Sequence, residues 1–598
     1  MWSKSIFVFV ACLYQSIIAH CKIITPDDAN ALQSLILSAY NTDKLDSITL
    51  TPGIYRIPFN DQPNSNIILS YLRNYVINAQ DVTLLMLDNR KRGITFYNCY
   101  NVTVRGSLII RNDVIPFTQG TIESIHANSF ILNIHDGYPT TLDDSTYFSI
   151  ETPYYIFDRH THRLKDKTFD YYNRNVTRID SHRFQVTFYI TLGAEIAVGD
   201  LVSMRGKGNM GILTEVSEKM HYVDVIVEYA GSIAWFEMEG MGNNRYERIS
   251  VRPGPKPLGA TEEPLMSANA DGFHSSNVFH GPTVINSFFT QMPDDGIAIH
   301  GEYQIIRQVN ENIIIIMRKY SWLYYRINDR VVIMGEDGVP KGETRVLRIR
   351  TLPMDYLPLI TPTWPHFQNH HYYYELELET NLNGTIVSND FISDIDRTGS
   401  GYVLQGNTIL NHRARGILVK ARDGLIESNL INGSSMAAIV MQPELWWAEG
   451  NYAEHVIIRN NTLMKCGYAT SDLSTEQAGV LTIFGTGKSQ VAYGHDTITI
   501  ENNLFVENDG VHMILDGLQN SVVKGNRFYN GQHNVNDRGS NYGWDGGVLV
   551  YVNRAKAITL QGNRAWCLGS AHKRRLQMTY LATHITGSLD GVIVESHC

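Results

Sequence analysis

Cysteine is scarce in this chain: Cys12, Cys21, Cys99, Cys466, Cys567 and Cys598 are the only six in 598 residues. Their spacing excludes a disulfide scaffold and a paired-cysteine zinc site. A Cys567–Cys598 bridge fits the spacing, and so do buried free thiols. Basic charge is also short. Fifty Lys and Arg face 60 Asp and Glu, leaving a net charge of −10 and a pI near 6.1. That balance argues against a nucleic-acid partner, which usually wants a basic face, and against substrates that need broad positive steering. Beyond the first twenty or so residues no continuous apolar span occurs, so no membrane helix is expected. Helices long enough for βαβ crossovers are missing, and Asn-Gly hairpin turns do not dominate.

Hydrophobic residues make up 43% and charged residues 18%, the composition of a folded protein rather than a disordered one. At 598 residues the chain exceeds what one compact core holds, so several domains or a repeat are expected. Residues 1–21 read as a secretory signal, with Lys4 as the positive start, Ile6 to Ala19 as the apolar run and Ala19-His20-Cys21 as the cleavage site. The expected location is therefore extracellular or a vacuole-like lumen. Asn-x-Ser/Thr sequons at Asn101, Asn175, Asn383, Asn432 and Asn460 agree with that route.

The chain does contain a repeat. Short apolar strands end in a corner asparagine at Asn407, Asn429, Asn461, Asn503, Asn526 and Asn563, with successive differences of 22, 32, 42, 23 and 37. The shortest differences define one coil, and the longer ones are coils that carry loops. Short strands with polar corners define an all-β parallel β-helix, and stacked asparagines can bond along the column. Similar runs recur from Ile48 to Gly106. Before them, Pro26 to Tyr40 reads as a capping helix with Thr25 at its start and Ala29, Leu32, Ile36 and Ala39 as its apolar stripe.

Two stretches break the rhythm with longer alternating strands. They carry similar phrases, Val198-Gly199-Asp200-Leu201-Val202 and Ile327-Asn328-Asp329-Arg330-Val331. Each is read as an inserted small antiparallel β-barrel. The expected organisation is signal 1–21, coils 22–120, first barrel 121–206, coils 207–301, second barrel 302–383 and coils 384–598.

The chemistry concentrates in Asn269-Ala270-Asp271-Gly272 and Gln291-Met292-Pro293-Asp294-Asp295-Gly296. Asp-Gly is also an ordinary turn signal. Here, however, Asp271 and Asp294 are 23 positions apart, one unbroken coil. Close carboxylates repel, so at least one pKa should rise; that one can act as a general acid while an ionised partner activates water. Pro293 and Gly296 would supply the turn that presents both Asp294 and Asp295. Later, Asn411-His412-Arg413-Ala414-Arg415-Gly416-Ile417-Leu418-Val419-Lys420 puts three cations on one coil, where guanidinium forks could hold sugar hydroxyls or the acids themselves. Gln442, Glu444, Trp446 and Trp447 follow one coil on, and pyranose stacking or core packing both suit the tryptophans. His274 and His300 follow the acidic blocks and could bond a sugar hydroxyl.

The order Asn-x-Asp-Gly, Gln-x-x-Asp-Asp-Gly-Ile-Ala-Ile, Arg-x-x-x-Ile-x-x-Lys resembles inverting β-helix glycosidases of the polygalacturonase type. More closely, it is similar to bacterial α-1,3-galactosidases of glycoside hydrolase family 110. The resemblance spans nearly the whole chain after residue 21. It implies a right-handed, pectin-lyase-like β-helix with inserted barrels, and no metal or cofactor. It implies Asp271, Asp294 and Asp295 as catalytic residues, with Asp294 the general acid and the other two activating water. The implied substrate is a terminal α-1,3-linked galactoside, linear or blood-group-B-like, and a homo-oligomer is compatible with it. Three rival readings carry distinct signatures. A pectin-type glycosidase needs cations for a substrate carboxylate and a Gly-His-Gly tripeptide, which His280-Gly281 and His300-Gly301 do not supply. A pectate-type lyase would use the aspartates for calcium. A non-catalytic glycan-binding coil would keep its function without Asp294.

Overall fold

A computed structural model of the chain describes residues 21–61, 64–149, 152–318, 323–354, 356–357, 372–381, 384–468, 474–486, 493–579, 581–587 and 591–595. The expected signal segment lies outside the described residues up to residue 20, as do the Asn383 sequon and Cys598. Cys99 and Cys466 are buried free thiols. Among the described residues no helix is long and apolar enough to cross a membrane. Packing divides the chain into two compact units. One comprises the described residues to His162, Asp170–Gly272 and Val284–Pro293. The other comprises Arg163–Phe169, Phe273–Thr283 and the residues from Asp294 onward.

The first unit opens with Pro26–Ala31 as a 3-10 helix, followed by the α-helix Leu32–Asn41. The expected single helix is thus tightened in its first turn. There the Asp28 carboxylate accepts from the Thr25 N–H at 2.9 Å and the Asp28 N–H donates back to the Thr25 carbonyl at 3.0 Å. Ala29, Leu32, Ile36 and Ala39 are all buried. Parallel strands then stack coil on coil, with Cys21–Ile24, Ser47–Leu50, Arg73–Asn78 and Tyr100–Asn112 paired in sequence. Within this unit six strands between Phe117 and Arg205 pair antiparallel.

The second unit shows why the coil repeat is legible. Three columns of parallel strands run through it, one of them Val403–Gln405, Leu425–Glu427, Ile457–Arg459 and Thr499–Glu501. Between columns the corner asparagines form a continuous buried ladder. Each asparagine from Asn407 to Asn526 donates its backbone N–H and its side-chain amide to the Oδ1 of the next, at 2.9–3.0 Å. Every turn of the coil would otherwise bury an unpaired amide, so asparagine is demanded at the corner. Replacing Asn503 by alanine should orphan donors on Asn461 and remove the side-chain bond to Asn526. A loss of about 3–5 kcal/mol in unfolding free energy is expected by chemical denaturation; a loss below about 1 kcal/mol would show that the ladder is dispensable.

Six antiparallel strands also belong to this unit: Ile297–Asn310, Ile313–Arg318, Arg330–Met334, Pro340–Leu352, Tyr372–Leu378 and Phe391–Asp394. Their pairings return to the first strand, so the ring closes on itself. The closing strand lies beyond residue 383, where Phe391-Ile392-Ser393-Asp394 is too short to stand out from a coil strand. The two repeated phrases share one device. In each, an aspartate accepts the N–H three residues before it at 2.7 Å, Asp200 from Ala197 and Asp329 from Arg326, and a strand follows.

Candidate active site

In the second unit Phe273–Ser276, Ile297–His300 and Ile417–Lys420 lie side by side as parallel neighbours. The turns that enter the last two strands carry Asp294-Asp295-Gly296 and Arg413-Ala414-Arg415-Gly416. Gly296 donates to the Arg415 carbonyl at 2.9 Å. A Cβ on Gly296 would meet the Gly416 carbonyl at 2.5 Å, and one on Gly416 would meet the Ala438 carbonyl at 2.5 Å. The glycine after each functional pair therefore allows the coils to approach closely.

This approach pairs acids with arginines. Arg413 Nη1 donates to Asp294 Oδ1 at 3.0 Å. Arg415 grips Asp295 through Nη2 at 2.6 Å, Nε at 2.7 Å and its backbone N–H at 2.9 Å. The Asp295 side chain is 4% exposed and that of Asp294 28%. Burial raises the Asp295 carboxyl above the ordinary carboxylate value; Arg415 opposes the rise and Asp294 adds to it.

From Arg415 the network runs inward. Its Nη1 also donates to Glu444 Oε1 at 3.0 Å. Lys420, fully buried, donates to Glu444 Oε2 at 2.7 Å and Glu449 Oε2 at 2.6 Å. Glu444 and Glu449 flank a tight turn and exchange backbone bonds of 2.8 and 3.1 Å across it. Burial alone would strip the Lys420 proton, but the two carboxylates hold its pKa above the ordinary value. Burial likewise raises Glu444 and Glu449, and the neighbouring cations outweigh it and lower both. The same turn carries Trp446 and Trp447, 52% and 51% exposed, over a buried Leu445. Gln442 is buried, donates to Glu476 at 2.8 Å and accepts from Gln477 at 3.1 Å.

His300 is buried, and its Nδ1 lies 2.7 Å from the Gly301 carbonyl. Nδ1 therefore carries the proton, and Nε2 accepts from His274 Nε2 at 2.7 Å. Burial pushes the His300 pKa down to about 3. His274, His300 and Glu449 place possible metal-ligand atoms within 4.8 Å of one another. Their mutual bond and the Lys420–Glu449 pair already satisfy much of that donor set.

Buried histidines also give this unit an acid limit. His412, His495 and His512 join His300, each pushed by burial to about 4. Their folded pKa values lie below the unfolded one, so the unfolded chain binds more protons in between. Stability present above about pH 6.5 is lost as the pH falls toward 4, at about 1.4 kcal/mol per histidine per pH unit. Thermal unfolding should move down by several degrees from pH 7 to pH 5, and His495→Gln should flatten that slope.

The structure thus brings Asp294, Asp295, His274, His300, Arg413, Arg415, Lys420, Gln442, Glu444 and Trp446 into the second unit. Asp271 belongs to the first. It is buried there, and its carbonyl accepts the Ala234 N–H at 2.9 Å. Three participants escaped the sequence reading: Glu449, Glu476 and Gln477. Glu449 had no signal of its own, because it reaches Lys420 only across the turn that it shares with Glu444. Glu476 and Gln477 lie in a loop outside the coil repeat and had none.

These columns and this network define a parallel β-helix with a carboxylate–arginine cluster at one strand edge. The family model described as right handed beta helix region matches residues 378–567, so the coil is right-handed. The chain is similar to α-1,3-galactosidase B of Phocaeicola vulgatus, 26% identical over 377 residues, covering 57% of this chain and 58% of that one. It is also similar to α-1,3-galactosidase B of Bacteroides fragilis, 26% identical over 382 residues, covering 58% and 59%. The chain thus spans less than two thirds of these curated relatives. Among solved structures, the catalytic domain of a glycoside hydrolase family 87 α-1,3-glucanase aligns with a TM-score of 0.44 at 9% identity, covering 96% of this chain and 69% of that one. The resemblance to β-helix glycosidases of family 110 therefore stands on sequence as well as on motif.

Proposed function

We propose that the protein is a glycoside hydrolase that releases terminal α-1,3-linked galactose with inversion. The observation that carries this reading is the pair Asp294 and Asp295, adjacent in sequence, gripped by separate arginines and unequally buried. Asp294 has the more open side chain and serves as the general acid. It gives its proton to the leaving oxygen as the C1–O bond breaks. Asp295 is the base. Arg415 fixes its orientation while it takes a proton from the attacking water. One displacement at C1 inverts the anomer. Asp271 enters as a second base from its coil spacing in the sequence and from the family resemblance. Trp446 offers an exposed ring to the sugar and His274 a polar group to its hydroxyls, while Gln442 is buried and held by Glu476 and Gln477.

A neutral sugar fits the electrostatics better than a uronate. Arg413, Arg415 and Lys420 all hold carboxylates of the protein itself. The same pairing disfavours a lyase that would lend Asp294 and Asp295 to calcium. Incubation with Galα1-3Gal should release galactose, and a polygalacturonide should remain intact. No release by folded protein would remove the substrate assignment.

A further inference from the structure

The strand column that carries Lys420 continues through Ile439–Met441, Leu481–Ile483, Met513–Asp516 and Val548–Asn553, all parallel and in register. Three strand spacings separate the strand of Lys420 from that of Asp516, roughly 14–15 Å. Here the second unit has a cavity of about 300 Å³ walled by Phe484, Asp516, Tyr542, Trp544, Asn553 and Arg554. The proposed reaction uses none of them.

Two kinds of wall meet in this cavity. One is aromatic. Tyr542 stacks on Trp544 with centroids 5.1 Å apart and rings 19° from parallel, and Phe484 meets both edge-on. The other wall is a buried, charge-balanced polar set. Arg554 Nε donates to Asp516 Oδ1 at 2.5 Å, Asn553 Nδ2 to Asp516 Oδ2 at 2.7 Å, and Arg554 Nη2 to the Gly485 carbonyl at 2.6 Å. Asp516 and Arg554 are 2% and 4% exposed. Hydroxyl groups suit such a wall because each can both donate and accept. A flat aromatic face beside it suits the apolar face of a ring. The paired charges cancel, so no charged ligand is called for. The volume is at the small end of ligand pockets, the size for a sugar unit rather than a large cofactor.

The cavity is also tied to the candidate active site. The Tyr542 hydroxyl donates to Glu476 Oε2 at 3.3 Å, and Gln442 donates to Glu476 Oε1 at 2.8 Å. We infer that this cavity is a second sugar subsite, which takes a neutral pyranose of the glycan on the leaving-group side of the scissile bond. The inference rests on the glycan-hydrolase reading above.

Chain-length kinetics test it. Wild type should hydrolyse a neutral tetrasaccharide ending in α-1,3-galactose about tenfold more efficiently in kcat/KM than Galα1-3Gal. Tyr542→Ala should erase that advantage and leave hydrolysis of an aryl α-galactoside within about twofold; Tyr542→Phe, which keeps the ring, should retain most of it. A wild type indifferent to chain length, or a folded Tyr542→Ala that keeps the advantage, overturns the subsite. If wild type cleaves no galactoside at all, the functional reading fails separately. Calorimetric titration with the tetrasaccharide then decides the subsite: binding lost in Tyr542→Ala and Asn553→Ala supports it, and absent or unaffected binding overturns it.

Discussion

Asp294→Asn is expected to lower galactose release by about a thousandfold and to leave the unfolding temperature almost unchanged. Asparagine keeps the shape of the carboxyl group and an oxygen for Arg413 Nη1, which now donates to Asp294 at 3.0 Å. What it cannot do is give a proton to a leaving oxygen. The loss should fall on kcat with KM little changed, because the proton moves only in the transition state. Asp295→Asn gives a useful contrast. It too should lose activity, but it replaces the partner of a buried guanidinium held at 2.6 and 2.7 Å. That variant should therefore also unfold at a lower temperature. Steady-state kinetics beside thermal unfolding separates the two. If Asp294→Asn retains more than about a tenth of wild-type turnover, Asp294 is not the acid.

Lys420→Met should produce the largest loss of stability in the second unit. The ammonium lies at 2.7 Å from Glu444 and 2.6 Å from Glu449, with no exposed side-chain surface of its own. Methionine fills the volume but leaves two carboxylates, with side chains 9% and 23% exposed, without their shared cation. Removing one partner of a buried ion pair costs about 3–5 kcal/mol, and here Glu449 loses its lysine while Glu444 keeps only Arg415. Unfolding should shift down by many degrees. Activity should fall with it, because Glu444 also holds Arg415. Lys420→Met combined with Glu449→Gln should recover part of the loss, since one orphaned charge is then removed. A single variant as stable as wild type would mean that the acids are protonated in the folded state.

The coil architecture was legible because its corner chemistry is local. Each asparagine from Asn407 to Asn526 bonds the corner asparagine of the next coil, so the same residue returns wherever the chain rounds that corner. Asp294-Asp295-Gly296 and Arg413 to Gly416 were legible for the same reason: glycine is forced where coils meet carbonyl to Cβ. The arginines were readable as cations on one coil, but their work was not. Pairing across coils 119 and 120 positions apart depends on the register of stacked strands. Glu449 was hidden because it reaches Lys420 only through the left-handed turn at Ala448, φ 59°, after two tryptophans. The end of the second antiparallel ring was hidden as well, because Phe391–Asp394 has the length and pattern of a coil strand.

Inversion requires a single displacement at the anomeric carbon by this carboxylate pair. The most direct test is proton NMR of galactose in the first minutes of Galα1-3Gal hydrolysis, before mutarotation. Wild type should give β-galactose as the first product, and Asp294→Asn should give none. α-Galactose as the first product would contradict inversion, because retention requires a covalent intermediate and a carboxylate acting as nucleophile.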